Sequence, residues 1–281
     1  MSRVRVATVI TRMEAGAGVV ALRGARSLDP DRYEVGIIAG SGDRLLDEAA
    51  DAGLKVTVEP SLRAPIAPRD DVRALRQLTD LFARERFDVV HTHSAKAGAI
   101  GRMAAHRAGV PRIVHTFHGF PFHEFQSAAR RSAYVQIERR LGRYTDVALC
   151  VGTNVAVEAI RRRLVAPERI RTIGVTVDSA AAIKTTRSCA AAREALGLPR
   201  DGQIVGAVGR LAYQKAPEDF VAAMIALDRP DVIGVWIGGG ELSTRVELLA
   251  RQALPGAIVR FVGERPNVPE LLPAFDVFAL P

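Results

Sequence analysis

This 281-residue chain is poor in cysteine, in lysine and in long apolar runs, and each shortage excludes something. Its two cysteines, Cys150 and Cys189, stand far apart at no ligand spacing, so neither a disulfide framework nor a cysteine-based zinc site is expected. A reduced, cytoplasmic setting fits that usage. No stretch approaches the roughly 18–20 uninterrupted apolar residues that span a bilayer. The opening "MSRVRVATVI" runs directly into a strand-like pattern, without the apolar core and small-residue cleavage site of a signal peptide. No His/Glu or His/Cys pair has helical metal spacing, no H-E-x-x-H occurs, and the lone D-x-D, Asp29–Asp31, contains Pro30 and reads as a turn. A metal site is therefore not expected. Lys55, Lys96, Lys184 and Lys215 are the only lysines, so each is more informative than the abundant arginines, which in part reflect background composition. The net charge of +8 favours acidic partners, such as phosphates, nucleic acid or an anionic membrane.

What is present is an alternation of strands and helices. "VRVATVI" (4–10), "YEVGIIAG" (33–40), "LKVTVEP" (54–60), "FDVVHTH" (87–93), "RIVHTFH" (112–118) and "DVALCVG" (146–152) read as strands. Most are almost continuously apolar, as parallel strands covered on both faces are. Between them, "DDVRALRQLTDLFARERF" (70–87) has helical spacing of Val72, Leu75, Leu78 and Phe82 behind Asp70 as a candidate cap, and "NVAVEAIRRRL" starts on Asn154 at a cap position. Repeated βα units predict an α/β fold with a doubly wound parallel sheet.

The rhythm breaks near residues 178–202 and a second series follows: "IVGAVGR", "DVIGVWIG", "AIVRFVG" and "DVFALP". The expected organisation is a first domain over 1–178, a linker over 179–202, and a second domain over 203–281. A doubly wound half usually has five or six strands, and the second series offers four. In the usual order the fourth strand lies beside the first, and a fifth would cover its far side. The expectation is that the chain is a fragment whose second sheet is incomplete.

Several motifs suit phosphate chemistry, each with a plainer alternative. Gly16 and Gly18 in "MEAGAGVV" stand ahead of a helix, where amides approach anions, although any tight turn uses glycine. In "VGRLAYQKAPEDF", Arg210 ends a strand and Lys215 precedes a helix with Pro217 suited to its first position. Two cations and a helix N-terminus would meet a diphosphate at the sheet's carboxyl edge; the alternative is a pair of solvated surface charges. Gly239, Gly240 and Glu241 in "WIGGGELS" would lie close to a nucleotide ribose, or form only a tight turn. Among the histidines, His91 and His93 alternate along a strand and share a face, and His115 reads as a structural strand residue. His118, at the strand's carboxyl end, is the functional candidate. Finally, "FQSAARRSAYVQIERRLGRYTD" (125–146) is helical and carries Arg130, Arg131 and Arg139. With Phe120 and Phe122 beside it, it could meet an anionic membrane or a lipid phosphate, or simply be a solvated arginine face.

The order of "FDVVHTHS", "GVPRIVHTFHG", "IRTIGVTVD" and "VGAVGRLAYQK…WIGGGE…FVGERPNVPELLPAFDVFALP" resembles the retaining glycosyltransferases of family 4, over essentially the whole chain. "HGFPFHEF" and the arginine-rich helix are most similar to bacterial members that build envelope or capsular polysaccharide on a lipid carrier. The resemblance implies a GT-B fold of two Rossmann-like domains facing a cleft. The donor, a nucleotide-diphosphate sugar, would bind mainly the second domain, and a saccharide or lipid-linked acceptor the first. Arg210 and Lys215 would neutralise the leaving diphosphate, Gly16 and Gly18 would offer amides, and His118 would contact the sugar near the reacting carbon. The "GERPNV" loop, with Glu264, Arg265, Asn267 and Val268, would hold the base. No cofactor or metal is implied, nucleic acid is not an expected partner, and the expected location is cytoplasmic, peripheral at the inner face of the plasma membrane.

The chain departs from that pattern in three places. The family's glutamate pair spaced by seven residues would follow "FALP", where the chain ends; Ala216 stands for a frequent glycine; and Thr176 stands for another, which would stiffen the crossover between domains. The rival readings are a GT-B-type nucleotide-sugar 2-epimerase, which would want a pair of acid/base carboxylates, and a truncated nucleotide- or lipid-binding domain without turnover.

Overall fold

The computed structural model describes residues 3–123, 126–174, 182–253 and 258–281, which leaves Thr176 and the Glu124–Phe125 end of the aromatic segment outside the described residues. The chain divides into two units, Met1–Val175 and Thr176–Pro281. In the first, the apolar runs form β1 (Val4–Met13), β2 (Tyr33–Gly42), β3 (Lys55–Val58), β4 (Val89–His93), β5 (Arg112–Phe117), β6 (Val147–Cys150) and β7 (Ile170–Thr172). All pair in parallel in the order β3-β2-β1-β4-β5-β6-β7, so the connection from β3 to β4 crosses back over the sheet. The helices are α1 (Ala15–Arg26), α2 (Arg44–Asp51), α3 (Pro68–Glu85), α4 (Ala95–Arg107), α5 (Ala128–Gly142) and α6 (Thr153–Arg161). Val9, Val90 and Ile113 pack with α3 and α4, whereas Val6, Ile10 and Ile37 pack with α1 and α2, so the sheet is covered on both faces.

Several helix starts differ from the expected ones. α3 begins at Pro68, whose fixed φ and missing N–H suit a first turn. Asp70 therefore lies inside the helix rather than at its cap, while the Asp71 carboxylate accepts from the Ala67 N–H at 3.2 Å. The inward residues are Ala74, Leu78 and Phe82, and Val72 faces solvent. α6 is preceded by Gly152 as its cap residue, with Asn154 already in the helix. β1 runs to Met13, so Gly16 and Gly18 fall within the first turns of α1 and not ahead of it.

The second unit holds α7 (Thr186–Ala195), β8 (Gln203–Val208), α8 (Pro217–Leu227), β9 (Val232–Ile237), α9 (Ser243–Ala253), β10 (Ile258–Phe261), α10 (Val268–Leu271) and β11 (Val277–Phe278). Its parallel sheet has the order β10-β9-β8-β11, which puts the fourth strand beside the first. Within the stretch read as a linker, Thr185 and Ser188 form a reciprocal capping box for α7. Ala192, Leu196 and Leu198 then join the core under β8 and β9.

One short sequence pattern pins three strands. In "FDVV", "TDVA" and "FDVF", an aspartate stands just before or at the start of a strand: Asp88, Asp146 and Asp276. Each carboxylate accepts a neighbouring strand's N–H, from Arg5, Ile113 and Ile204 respectively, at 2.8 Å. Each aspartate's own N–H donates back to the carbonyl of that same residue. The two bonds together fix register where the ladder begins. Asp276 also receives Lys184 Nζ and Arg193 Nη2, both at 2.8 Å. Burial pushes the Asp276 carboxyl up, but the Lys184 hydrogen bond and the Ile204 amide outweigh it and hold it below the ordinary carboxylate range. A depressed carboxyl stabilises the fold above its unfolded pKa and loses that contribution as pH falls through the folded one. Asp276→Asn should therefore weaken the second unit at neutral pH, and melts taken down to about pH 3 should show the gap to the parent closing. A gap that stays constant with pH would contradict the assignment.

Candidate functional site

In the first unit the carboxyl ends of β4 and β5 gather the histidines. His91 and His93 share one sheet face because strand side chains alternate. His91 Nε2 lies 2.7 Å from Thr116 Oγ1. His118 stands one residue past β5, with its Nε2 3.0 Å from His93 Nδ1. The rings of His91 and His93 are 4.2 Å apart, those of His93 and His118 5.2 Å. His115 points to the opposite face, where its Nδ1 meets Thr92 Oγ1 at 2.9 Å. It is packed so closely under α4 that a Cβ on Gly98 would come within 2.4 Å of its ring. Burial lowers all four pKa values: His91 to about 4, His93 and His115 well below the ordinary value, and the half-buried His118 below it as well. These imidazoles are neutral at physiological pH. Gly119, at φ 153°, turns the chain away directly after His118.

At the end of β1, the two glycines separate. The Gly18 N–H donates to Glu14 O at 3.0 Å as an ordinary helical bond, and a Cβ there would collide with Met13 and Leu45 at 2.9 Å. Its amide is therefore spent and its missing side chain serves packing, which removes Gly18 as an anion ligand. Gly16 is exposed, in the first turn of α1, where amides lack helical acceptors.

In the second unit three loops at the sheet's carboxyl edge lie side by side. The Leu211 N–H donates to Gly239 O at 2.8 Å, the Leu242 N–H to Leu211 O at 3.0 Å, and the Gly238 N–H to Gly263 O at 2.9 Å. This brings Arg210 and Lys215, the Gly239–Glu241 turn, and the Glu264–Val268 loop into one neighbourhood. Gly238 and Gly240 are required there: both have positive φ, and a Cβ would lie 2.1 Å from Gly209 O and 2.4 Å from Leu211 O. Asn267 adopts φ 53° at the start of α10. Arg210, Lys215, Glu241, Glu264, Arg265 and Asn267 are exposed.

The four lysines now divide. Lys55 pairs with Glu85 at 3.3 Å, Lys96 with Asp71 at 2.5 Å, and Lys184 with Asp276 at 2.8 Å. Lys215 alone has no carboxylate partner among the described residues; its stem lies over Gly209, where a Cβ would come 3.3 Å from its Cγ. Arg210 likewise has no ion pair among them. Both stand beside the start of α8, whose cap residue Ala216 offers no side-chain bond. Ala216 sits at φ 43°, ψ 51°, a left-handed conformation that costs a non-glycine residue about 1 kcal/mol. Ala216→Gly should relieve that strain while loosening the unfolded chain. The expected net gain is under about 1 kcal/mol, read from denaturant midpoints, and a loss would show the strain to be absent.

The aromatic segment is less of a surface than its sequence implies. Phe122 is buried, stacks with Phe120 at 4.8 Å, and carries the Arg162 guanidinium 4.9 Å above its ring. Arg139 donates to Arg162 O at 2.8 Å and so ties α5 to the end of α6. Phe122 and Arg139 therefore serve contacts within the unit, unlike the free surface groups expected of them. Arg130 is exposed over Tyr134, and Arg131 lines an open concavity of about 540 Å³ with Phe120, Glu158 and Arg161. Arg161 and Arg162, the latter supporting Phe122, went unread in the sequence, since nothing local links them to "FPFH". Among the described residues no helix is long and apolar enough to cross a membrane, and no group of three or more His, Cys, Asp or Glu could hold a metal ion.

Two open parallel α/β units carry clustered histidines in one and, in the other, cations without a carboxylate partner among the described residues, at the sheet's carboxyl edge where nucleotide ligands bind in folds of this class. The comparisons narrow it. Residues 15–180 match the model for Glycosyltransferase Family 4, and residues 190–281 that for Glycosyl transferases group 1. An Escherichia coli UDP-Gal:alpha-D-GlcNAc-diphosphoundecaprenol alpha-1,3-galactosyltransferase is 30% identical over all of this chain and 74% of its own length. The Anabaena protein HepE, solved with UDP and glucose, superposes with a TM-score of 0.80 at 16% identity, over 98% of this chain and 73% of that one. A Listeria monocytogenes structure assigned as a UDP-N-acetylglucosamine 2-epimerase aligns less well, with a TM-score of 0.64 at 13% identity over 97% and 72%. The chain belongs to the family 4 glycosyltransferases. Its fold is of the GT-B type, and the epimerase reading has only that weaker structural likeness behind it.

Proposed function

We propose that the chain carries out retaining transfer of a sugar from a nucleoside-diphosphate donor to a saccharide on a lipid-diphosphate carrier, at the cytoplasmic face of a membrane. The observation that carries the donor half is the pair Arg210 and Lys215, the latter alone among the four lysines in lacking a carboxylate partner among the described residues. Breaking a sugar–phosphate bond develops charge on the departing diphosphate. Cations already in place stabilise that charge more in the transition state than in the ground state. Gly16 adds amides, His118 meets the sugar, and the Gly239–Glu241 turn with the Glu264–Val268 loop receives the nucleoside. The reading assigns no metal, so a chelator should leave turnover unchanged.

The acceptor half rests on the concavity beside Phe120, where Arg131 and Arg161 would meet a diphosphate and the ring an isoprenoid chain. The donor and acceptor of the E. coli relative are the first compounds to try. A thermal-shift panel of nucleotide sugars on the full-length protein, followed by transfer to a polyisoprenyl-diphosphate saccharide, tests both halves. Stabilisation by none of the nucleoside diphosphates would overturn the donor reading. Co-sedimentation with anionic vesicles should weaken with salt; binding to neutral vesicles alone would count against the membrane reading.

A further inference from the structure

We infer that His93 is a positioning residue that fixes His118 as the Nδ1–H tautomer, so that His118 meets its substrate as a hydrogen-bond donor. The inference rests on the reading that His118 faces a sugar substrate, but its structural half stands without it. Burial keeps both rings neutral, so each carries one proton and a single proton lies between them.

Two arrangements are open to the pair. In one, the Nε2–H of His118 donates to His93 Nδ1, and His93 must then carry its own proton on Nε2. That nitrogen is buried with no hydrogen-bond partner among the described residues. His91, whose ring is nearest, has its Nε2 engaged with Thr116. The arrangement would bury an orphaned donor. In the other, the Nδ1–H of His93 donates to His118 Nε2, and His93 Nε2 keeps only a lone pair. Buried donors are left unpaired more rarely than buried acceptors. The second arrangement therefore prevails, and it obliges His118 to keep its proton on Nδ1. Free histidine favours the opposite, Nε2–H form, so the neighbour sets the tautomer. No described side chain takes His118 Nδ1, which leaves that N–H for a sugar hydroxyl or a phosphate oxygen.

Nitrogen-15 spectra of the full-length protein labelled at histidine separate protonated from bare ring nitrogens and test this directly. His118 should show a protonated Nδ1 and a bare Nε2, and His93→Phe should return it to the Nε2–H form. His93→Asn, which places an amide N–H where Nδ1 was, should restore the Nδ1–H form. In turnover, His93→Phe should lower kcat at least fivefold with nucleotide affinity unchanged, and His93→Asn should recover most of the loss. An Nε2–H form of His118 in the parent protein overturns the inference even if the phenylalanine variant fails to fold, as does a tautomer that His93→Phe leaves unmoved. If the tautomer behaves as expected but the parent enzyme transfers no sugar, the functional reading fails and the role of His93 toward His118 stands.

Discussion

Lys215→Ala in the complete enzyme should lower kcat/KM for the nucleotide sugar by ten- to a hundredfold, about 1.4–2.7 kcal/mol, the range of one charge-assisted hydrogen bond to a phosphate. The expectation follows from what Lys215 does not do in the fold. It is exposed, it holds no carboxylate among the described residues, and its stem rests on Gly209, where a side chain would crowd it. Removing it breaks no contact that another residue depends on, so stability should stay within about 0.5 kcal/mol of the parent. Lys55, Lys96 and Lys184 provide the contrast, because each is joined to an acidic side chain. Lys184→Ala should move the melting temperature and leave donor kinetics alone. Lys215→Arg keeps the charge but not the compact ammonium, and should recover part of the rate. The proposed contact is to the diphosphate, so the loss should appear with nucleoside diphosphates and largely vanish for binding of the free nucleoside. Unchanged kinetics in Lys215→Ala would remove the diphosphate assignment.

How far the sequence could be read depended on whether a contact is local. The alternation of apolar runs with helical periods was enough for the doubly wound sheets, and it placed Lys215 and Pro217 correctly at the start of α8. The scarcity of lysine singled out Lys215, yet the same reasoning applied equally to Lys184, which the fold uses to hold Asp276. The repeated "DV" at three strand starts was visible in the sequence, but its meaning depends on which strand lies alongside. The bond between His93 and His118 depends on the parallel register of β4 against β5, across 25 positions of chain. Gly16 and Gly18 look alike in "MEAGAGVV", and only the extension of β1 to Met13 shows that one is exposed and the other packed. Phe122 and Arg139 read as surface because aromatic and basic residues cluster there. Arg162, from a separate helix end, turns both inward through its ring contact and its carbonyl.

The largest stability effect is expected at a pair that no sequence pattern marks. Glu138→Gln should cost the first unit about 3–5 kcal/mol, because it strips the countercharge from a buried guanidinium. Arg102 is fully buried and its Nη2 donates to Glu138 Oε2 at 2.8 Å, joining α4 to α5. Its Nε donates to Gly98 O at 2.7 Å, and its guanidinium lies 6.0 Å from the Phe117 ring. Glutamine keeps the size of the side chain and one acceptor, so the change isolates the charge. For a unit of this size, a loss of 3–5 kcal/mol corresponds to a fall in melting temperature of roughly 6–20 °C. The pair is not thereby a net stabiliser, since both ions were desolvated to bury it. The double replacement Arg102→Met with Glu138→Leu should recover most of the loss, because neither charge is then stranded. Recovery in the double variant beside a large single-variant loss is the signature of a desolvated pair; a single-variant cost below about 1 kcal/mol would mean water reaches it. The consequence extends to the site. Gly98, held by Arg102, is the position that packs against His115, and Phe117 precedes His118 directly, so the pair sets the floor under the strand that delivers His118.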